Sequence, residues 1–545
     1  LQVMLKWISD KVGGTDQNEY DKVLAASATD NHMTPSTVFD DPNEKTPFMA
    51  LAYLYFITIA SVLGLGILGL PVKLSQSGFT PFFGSYTVCF FMQLLSLFFL
   101  IEILQRCYST IRVDSDMVSP SSSLIPSSAS AVSFRSGSND GIITGHSRLE
   151  EEDTIDLAQD NGTIYSTSIM ISYGLAASMA YGKLIGVSMH YIILPLIVTF
   201  SLIVVFGAKV LQHIITVFTF AKGSLLIVIV LITGVVAQHV QLHISNDWAY
   251  VGRSFLISTV ALGGAAGVIP VVFPKIKFNR REMMKCYAAV GSGLTTVYVL
   301  NVFWCWFLLR IIPQMPIPDD PSYPNLYDAG NHQEIATIPL MDVIKTSYPQ
   351  YLWIATCVDI FIVVSITISF ITMGTGYKQT IDGFSVSWRK KSLQSYDSTD
   401  DSEDEFKERS CGSNIKRKIQ SNINGFNQLL DSKEGQSLDG LSIRFRIREF
   451  ILYFIAFGFI LMVAMLNPKG FLVVMEVGAS LGLNLQSGLF MVWMLIRSRK
   501  QYSHYPIPLP LHRSLYSTRH IVLIYFTFAV LYDVYEVIMK IVAAA

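Results

Sequence analysis

Apolar runs of roughly 18 to 25 residues, the length that crosses a ~30 Å hydrocarbon core, recur along almost the whole of this 545-residue chain. Eleven are counted: 48 to 71, 81 to 106, 164 to 186, 190 to 207, 214 to 238, 253 to 273, 286 to 312, 350 to 374, 449 to 466, 470 to 496 and 520 to 542. With 51% hydrophobic residues, 15% charged residues and a mean hydropathy of +0.43, the composition departs from that of a soluble globular protein in the same direction. The expectation is an all-α integral membrane protein. Span three is the weakest of the set, being rich in Ser, Gly and Tyr between Ser166 and Gly186 and carrying Lys183, so it belongs inside a bundle.

The net charge of -1 gives no reason to expect a nucleic-acid partner. The basic residues are nevertheless unevenly placed. Lys275, Lys277, Arg280, Arg281 and Lys285 follow span six, and Arg497, Arg499, Lys500, Arg513 and Arg519 lie between spans ten and eleven. The loop at 239 to 252 has no Lys or Arg, and the loop at 313 to 346 sets Asp319, Asp320, Asp328, Glu334 and Asp342 against Lys345 alone. Cytosolic loops carry the excess of Lys and Arg, which places the N-terminus in the cytosol.

Three stretches break the apolar rhythm. Residues 1 to 45 read as a polar cytosolic tail, and the transmembrane domain spans 46 to 545. Within it, residues 108 to 160, with Ser119-Pro-Ser-Ser-Ser123 and Glu150-Glu-Glu-Asp153, and residues 392 to 440, with Ser398-Thr-Asp-Asp-Ser-Glu-Asp-Glu405, bury too little apolar surface to order themselves. They are expected to be disordered cytosolic insertions, either plain spacers or substrates of cytosolic regulators. The six cysteines fall in spans or cytosolic segments and imply no extracellular disulfide framework.

Span one is interrupted by Gly64-Leu-Gly-Ile-Leu-Gly-Leu-Pro71. An unpaired peptide group in hydrocarbon costs several kcal/mol, so a broken helix survives only where it is buried in protein or lines a polar cavity. The G-x-G-x-x-G spacing does not mark a dinucleotide site, since neither the preceding strand nor the crossover unit exists here. Span six repeats the interruption at Ala261-Leu-Gly-Gly-Ala-Ala-Gly-Val-Ile-Pro270. Paired interruptions in corresponding positions of two halves point to the binding site of a secondary transporter. Spans one and six correspond if spans one to five and six to ten are inverted repeats. No Walker-type phosphate loop is present, which argues against a primary pump, and nothing suggests an enzyme.

Span eight adds hydroxyls in Val364-Ser-Ile-Thr-Ile-Ser-Phe-Ile-Thr372. Ser365, Ser369 and Thr372 share one helical face, and Thr367 lies roughly 200° around from Ser365. Such hydroxyls suit a hard cation or bond their own backbone. Among ionisable residues inside spans, those placed as candidate functional groups are Glu102, Asp359, Glu476 and Asp533. Glu102 has Arg106 four residues on and reads as an interfacial ion pair. No His, Cys or carboxylate spacing suggests a metal site.

These motifs resemble the amino acid/auxin permease family. The first-span signature Gly64 to Pro71 followed by Ser77-Gly78, the segment ending Gly267-Val-Ile-Pro270 and the run Val364-Ser-Ile-Thr-Ile carry the likeness. The resemblance identifies a divergent member. Ala60 stands where sodium-coupled members have Asn, Leu65 where they have Ser, and Leu262-Gly-Gly-Ala265 replaces their aromatic-Gln-Gly-His. What it implies is a LeuT-like 5+5 inverted repeat of eleven helices, with helices one and six broken.

On that resemblance the chain is a secondary active transporter of a small neutral amino acid, working by alternating access and coupled to H+ or Na+. Gly64, Gly66 and Ile67 would bind the substrate carboxylate, and Gly263, Gly264 and Gly267 its ammonium end and side chain. Tyr173 or Tyr181 would close the site. Ser365 and Thr367 would hold a cation, and Asp359 would serve proton coupling. The alternative is a transporter-like nutrient sensor or scaffold that signals through its cytosolic loops. Plasma membrane and lysosomal or vacuolar membrane are both open.

Overall fold

The computed structural model describes residues 45–118, 170–206, 208–239, 242–397, 439–466 and 478–544, apart from positions 64, 179, 183, 184, 319, 321 and 333. The tail at 1–44, most of both insertions, Gly64 and Glu476 lie outside these residues. The helix of span two continues to Val118 and that of span eight to Asp397, so both enter the stretches read as insertions.

The architecture is all-helical. Among the described residues, six helices are long and apolar enough to cross a membrane: Phe79–Thr110, Val217–Gln238, Trp248–Lys275, Arg280–Ile311, Pro349–Gly383 and Arg513–Met539. They correspond to spans two, five, six, seven, eight and eleven. Shorter apolar helices at Phe48–Val62, His190–Phe206 and Phe450–Leu466 belong to spans one, four and nine. Spans three and ten are helical where they are described, over 170–178 and from 478 onward.

Both expected interruptions are present. Span one is two half-helices, Phe48–Val62 and Leu65–Ser77. Span six is Val251–Leu262 and Ala265–Val272. The break in span six has a local cause. Gly263 is extended, with φ -76° and ψ -175°, and Gly264 is left-handed, with φ 94°, a region that side chains with a Cβ rarely enter. The first half of span one packs on the second half of span six, and the second half of span one on the first half of span six. The broken helices therefore run antiparallel with their interruptions at the same level. Span seven packs on both halves of span one and on span five, and span ten packs on span eleven and the first half of span six.

Polar clips fix which ends lie together. The backbone N–H of Lys277 donates to Thr46 Oγ1 at 3.1 Å, joining the start of span one to the basic loop after span six. At the opposite end, Asp247 N donates to the Ser77 carbonyl at 3.0 Å. Gln314 Nε2 donates to the Ser75 and Ser245 carbonyls at 3.1 and 3.2 Å, and its Oε1 accepts from Ser245 N at 2.8 Å. The end of span one and the loop after span five thus lie together.

The chain divides into two units, Leu1–Tyr377 with Ile460–Ala545, and Lys378–Phe459. In the second unit, the Tyr453 hydroxyl donates to Asp382, and the Lys378 ammonium lies 5.7 Å over the Tyr453 ring.

Candidate functional site at the paired helix breaks

A helix that stops at Val62 leaves its last carbonyls without intrahelical partners, and one that starts at Leu65 leaves its first N–H groups unpaired. The Leu63 N–H takes up the Ile59 carbonyl at 2.8 Å. The next carbonyl, that of Ala60, receives a hydrogen bond from Lys222 Nζ of span five at 3.1 Å. The same ammonium donates to Ser369 Oγ of span eight at 2.6 Å.

Lys222 is completely buried, and among the described residues no carboxylate lies within ion-pair distance of it. Its nearest electrostatic compensation is the negative end of the half-helix Phe48–Val62, where a cation is stabilised by the helix dipole. An ammonium has three N–H donors, so one N–H remains beyond the Ala60 and Ser369 bonds. Sequence reasoning missed this residue, although a Lys within an apolar run is a visible signal.

The hydroxyl face of span eight is the face that meets Lys222. Ser365 and Thr372, one turn either side of Ser369, are buried, and their hydroxyl oxygens have no hydrogen-bond partner in the structure as described. Thr219, three residues before Lys222, is buried in the same condition. Thr367 points elsewhere. It donates to its own Val363 carbonyl at 2.6 Å and shares a 2.8 Å hydrogen bond with Tyr181 of span three. Tyr181 is therefore joined to span eight, and Tyr173 is buried on span three. Asp359 is half-buried and lies ten residues before Ser369, about 15 Å along the helix axis, well away from Lys222.

At the second break, Gly263 N donates to the Thr259 and Val260 carbonyls at 3.1 and 3.3 Å, closing the first half-helix. A Cβ on Gly263 would stand 1.7 Å from Leu483 Cδ1 of span ten, so a side chain there would force Leu483 to shift. Gly267, by contrast, faces open space, and its carbonyl lies 3.9 Å from where a Cβ on Gly376 would be. Spans one, six and eight thus supply three neighbouring walls. Gly66 and Ile67 lie in the first turn of the half-helix Leu65–Ser77.

Two further polar clusters are present among the described residues. Glu102 of span two is fully buried and pairs with Arg106 at 3.0 Å, as its spacing implies. It also pairs with Arg499, just past the end of span ten, through Nε at 2.6 Å and Nη2 at 2.7 Å. Arg499 in turn stacks on Tyr516, 3.8 Å from the ring centroid. In the other cluster, Asp533 of span eleven accepts hydrogen bonds from Asn484 and Ser480 of span ten. Among the described residues, no group of three or more His, Cys, Asp or Glu gathers as a metal site would require.

No protein-family model and no curated protein matches the chain. Among solved structures, that of an Eremococcus coleocola manganese transporter in complex with an aromatic bis-isothiourea substituted compound aligns with a TM-score of 0.49 at 11% identity, covering 92% of this chain and 90% of that one. A point mutant of the same transporter aligns with a TM-score of 0.48 at 12% identity, over 92% and 89% of the two chains.

Proposed function

We propose that this chain is a secondary transporter that moves a small neutral amino acid by alternating access, with eleven spans arranged as a LeuT-like 5+5 inverted repeat. The observation that carries the reading is the side-by-side apposition of two broken helices with the Lys222 ammonium on the first break. The first turn of Leu65–Ser77 offers N–H groups to a carboxylate, and the carbonyl ends left by the second break suit an ammonium group. A zwitterion presents both.

Lys222 bears on the coupling ion. Its Nζ sits between a free helix-end carbonyl and a span-eight hydroxyl, the kind of oxygen pair that would otherwise hold a hard cation. A resident ammonium there leaves little for sodium to do, and we read the coupling ion as H+. Loss of the proton would remove the charge that compensates the end of Phe48–Val62. Protonation and the arrangement of the first break are then linked, and a proton gradient can bias one conformation over the other.

The test is uptake into proteoliposomes. Labelled neutral amino acids should accumulate under an imposed inward proton gradient and not under a sodium gradient alone. Gly66→Val, which places a branched side chain in the first turn of the second half-helix, should abolish the signal. Binding without uptake across a broad amino-acid panel would instead establish the sensor.

A further inference from the structure

We propose that Asp533 of span eleven is a positioning residue for the break in span six, acting through Ser480 and Asn484 of span ten. The proposal deepens the transporter reading by naming what holds one of its two breaks.

Asp533 is almost completely buried in an apolar helix. Its Oδ2 accepts from Asn484 Nδ2 at 2.8 Å and from Ser480 Oγ at 3.1 Å, and Asn484 Nδ2 also reaches Ser480 Oγ at 3.2 Å. Ser480 Oγ lies 3.4 Å from Thr259 Oγ1, in the last turn before Gly263. A polar chain thus runs from span eleven across span ten to the broken helix.

The hydrogens in this chain decide its direction. The single hydroxyl hydrogen of Thr259 goes to the Leu256 carbonyl at 2.8 Å. With that hydrogen on the Leu256 carbonyl, the Ser480–Thr259 contact draws on the hydrogen of Ser480, which Asp533 accepts. While Asp533 accepts it, Ser480 is tied to span eleven. Once that acceptor is removed, Ser480 turns to Thr259 and ties span ten to span six.

The consequence falls on Leu483. It sits in the same turn as Ser480 and Asn484 and fills the space beside Gly263, where a Cβ would force it to shift. Below it, span ten widens into a π-helical segment, Leu485–Phe490, whose Ser487 carbonyl is held by Ser96 Oγ of span two at 2.7 Å. π-Segments are frequent at functional sites. This one leaves the turn carrying Leu483 between two polar holds, and Asp533 provides the upper one.

The experiment follows the exposure of the second break without any substrate. A cysteine placed at Gly267, which faces open space, is modified by a water-soluble methanethiosulfonate and quantified by peptide mass spectrometry in the purified full-length protein. Asp533→Leu should slow this modification by about fivefold or more, the range expected when a coupling residue is removed, whereas Asp533→Asn, which keeps an acceptor oxygen, should stay within about twofold of the parent. Thr259→Val in the Asp533→Leu background should restore the rate to within about twofold, because Ser480 then has no competing acceptor. Asp533→Ala replaces Asp533→Leu if the latter is not monodisperse. An unchanged or faster rate in Asp533→Leu, or no rescue by Thr259→Val, overturns the proposal. If the labelling pattern holds while no amino acid is taken up, the transporter reading fails and this assignment stands.

Discussion

Replacing Lys222 by Met separates a residue kept for function from one kept for stability. The substitution keeps most of the apolar stem and removes the ammonium. It forfeits the hydrogen bonds to Ala60 O at 3.1 Å and Ser369 Oγ at 2.6 Å. At about 1.5–3 kcal/mol for a bond to a charged group, that is roughly 3–6 kcal/mol. Against this stands the dehydration of an ammonium with no carboxylate beside it among the described residues, a cost of several kcal/mol. Ser369 can also recover a partner by turning to the carbonyl four residues back, as Thr367 already does. The two sides nearly cancel. Lys222→Met should therefore change unfolding stability by no more than about 2 kcal/mol, seen as a melting temperature within a few degrees of the parent in detergent. Proton-driven uptake in proteoliposomes should fall at least about tenfold, equivalent to 1.4 kcal/mol. Uptake that survives with its proton dependence intact would refute the coupling role. A stability loss above about 5 kcal/mol would show that the lysine is a brace.

Gly263→Ala places a Cβ 1.7 Å from Leu483 Cδ1 in a buried contact, and overpacking of this kind costs about 1–3 kcal/mol. Leu483→Ala costs about 2–5 kcal/mol alone, but the double variant should lose less than the sum; strict additivity by thermal unfolding would show that the two do not touch. Gly264→Ala meets a different obstacle, a φ of 94°, worth about 1–2 kcal/mol, and Leu483→Ala should not relieve it. Glu102→Gln leaves two guanidinium groups uncompensated and should cost about 3–5 kcal/mol in detergent stability. Arg106→Gln should cost clearly less, because Arg499 keeps both of its bonds to Glu102; equal losses would contradict the asymmetry.

Period and composition carry long apolar helices on their face, and the two interruptions were legible because Gly and Pro act on the backbone of their own segment. Gly263 and Gly264 break span six where the sequence places the break, for reasons contained in their own φ and ψ. The hydroxyl face of span eight was equally local, since 100° per residue sets which of its side chains point together. Partners distant in the chain were not legible. Lys222 meets Ala60 across 162 positions and Ser369 across 147, and no periodicity encodes that meeting. The same limit explains Glu102, whose neighbour Arg106 follows from helical spacing, while Arg499, 397 positions away, does not. Thr367, counted among the cation ligands, turned out to face Tyr181, because a rotation of roughly 200° carries it to the opposite side of the helix.

The clip at Gln314 has a mechanical consequence. One side-chain amide joins the end of span one, the loop after span five and the segment leaving span seven, while Ser77 and Ser254 join the second half of span one to the first half of span six through their hydroxyls at 2.5 Å. Those two half-helices share one handle at that end and would tilt as a pair. At the other end, the Lys277 N–H donates to Thr46 and the Lys275 ammonium lies 5.7 Å over the Tyr53 ring, joining the start of span one to the loop after span six. Any movement of one of these two half-helices would therefore carry the other with it, because Gln314 and the Ser77–Ser254 pair hold them at one end.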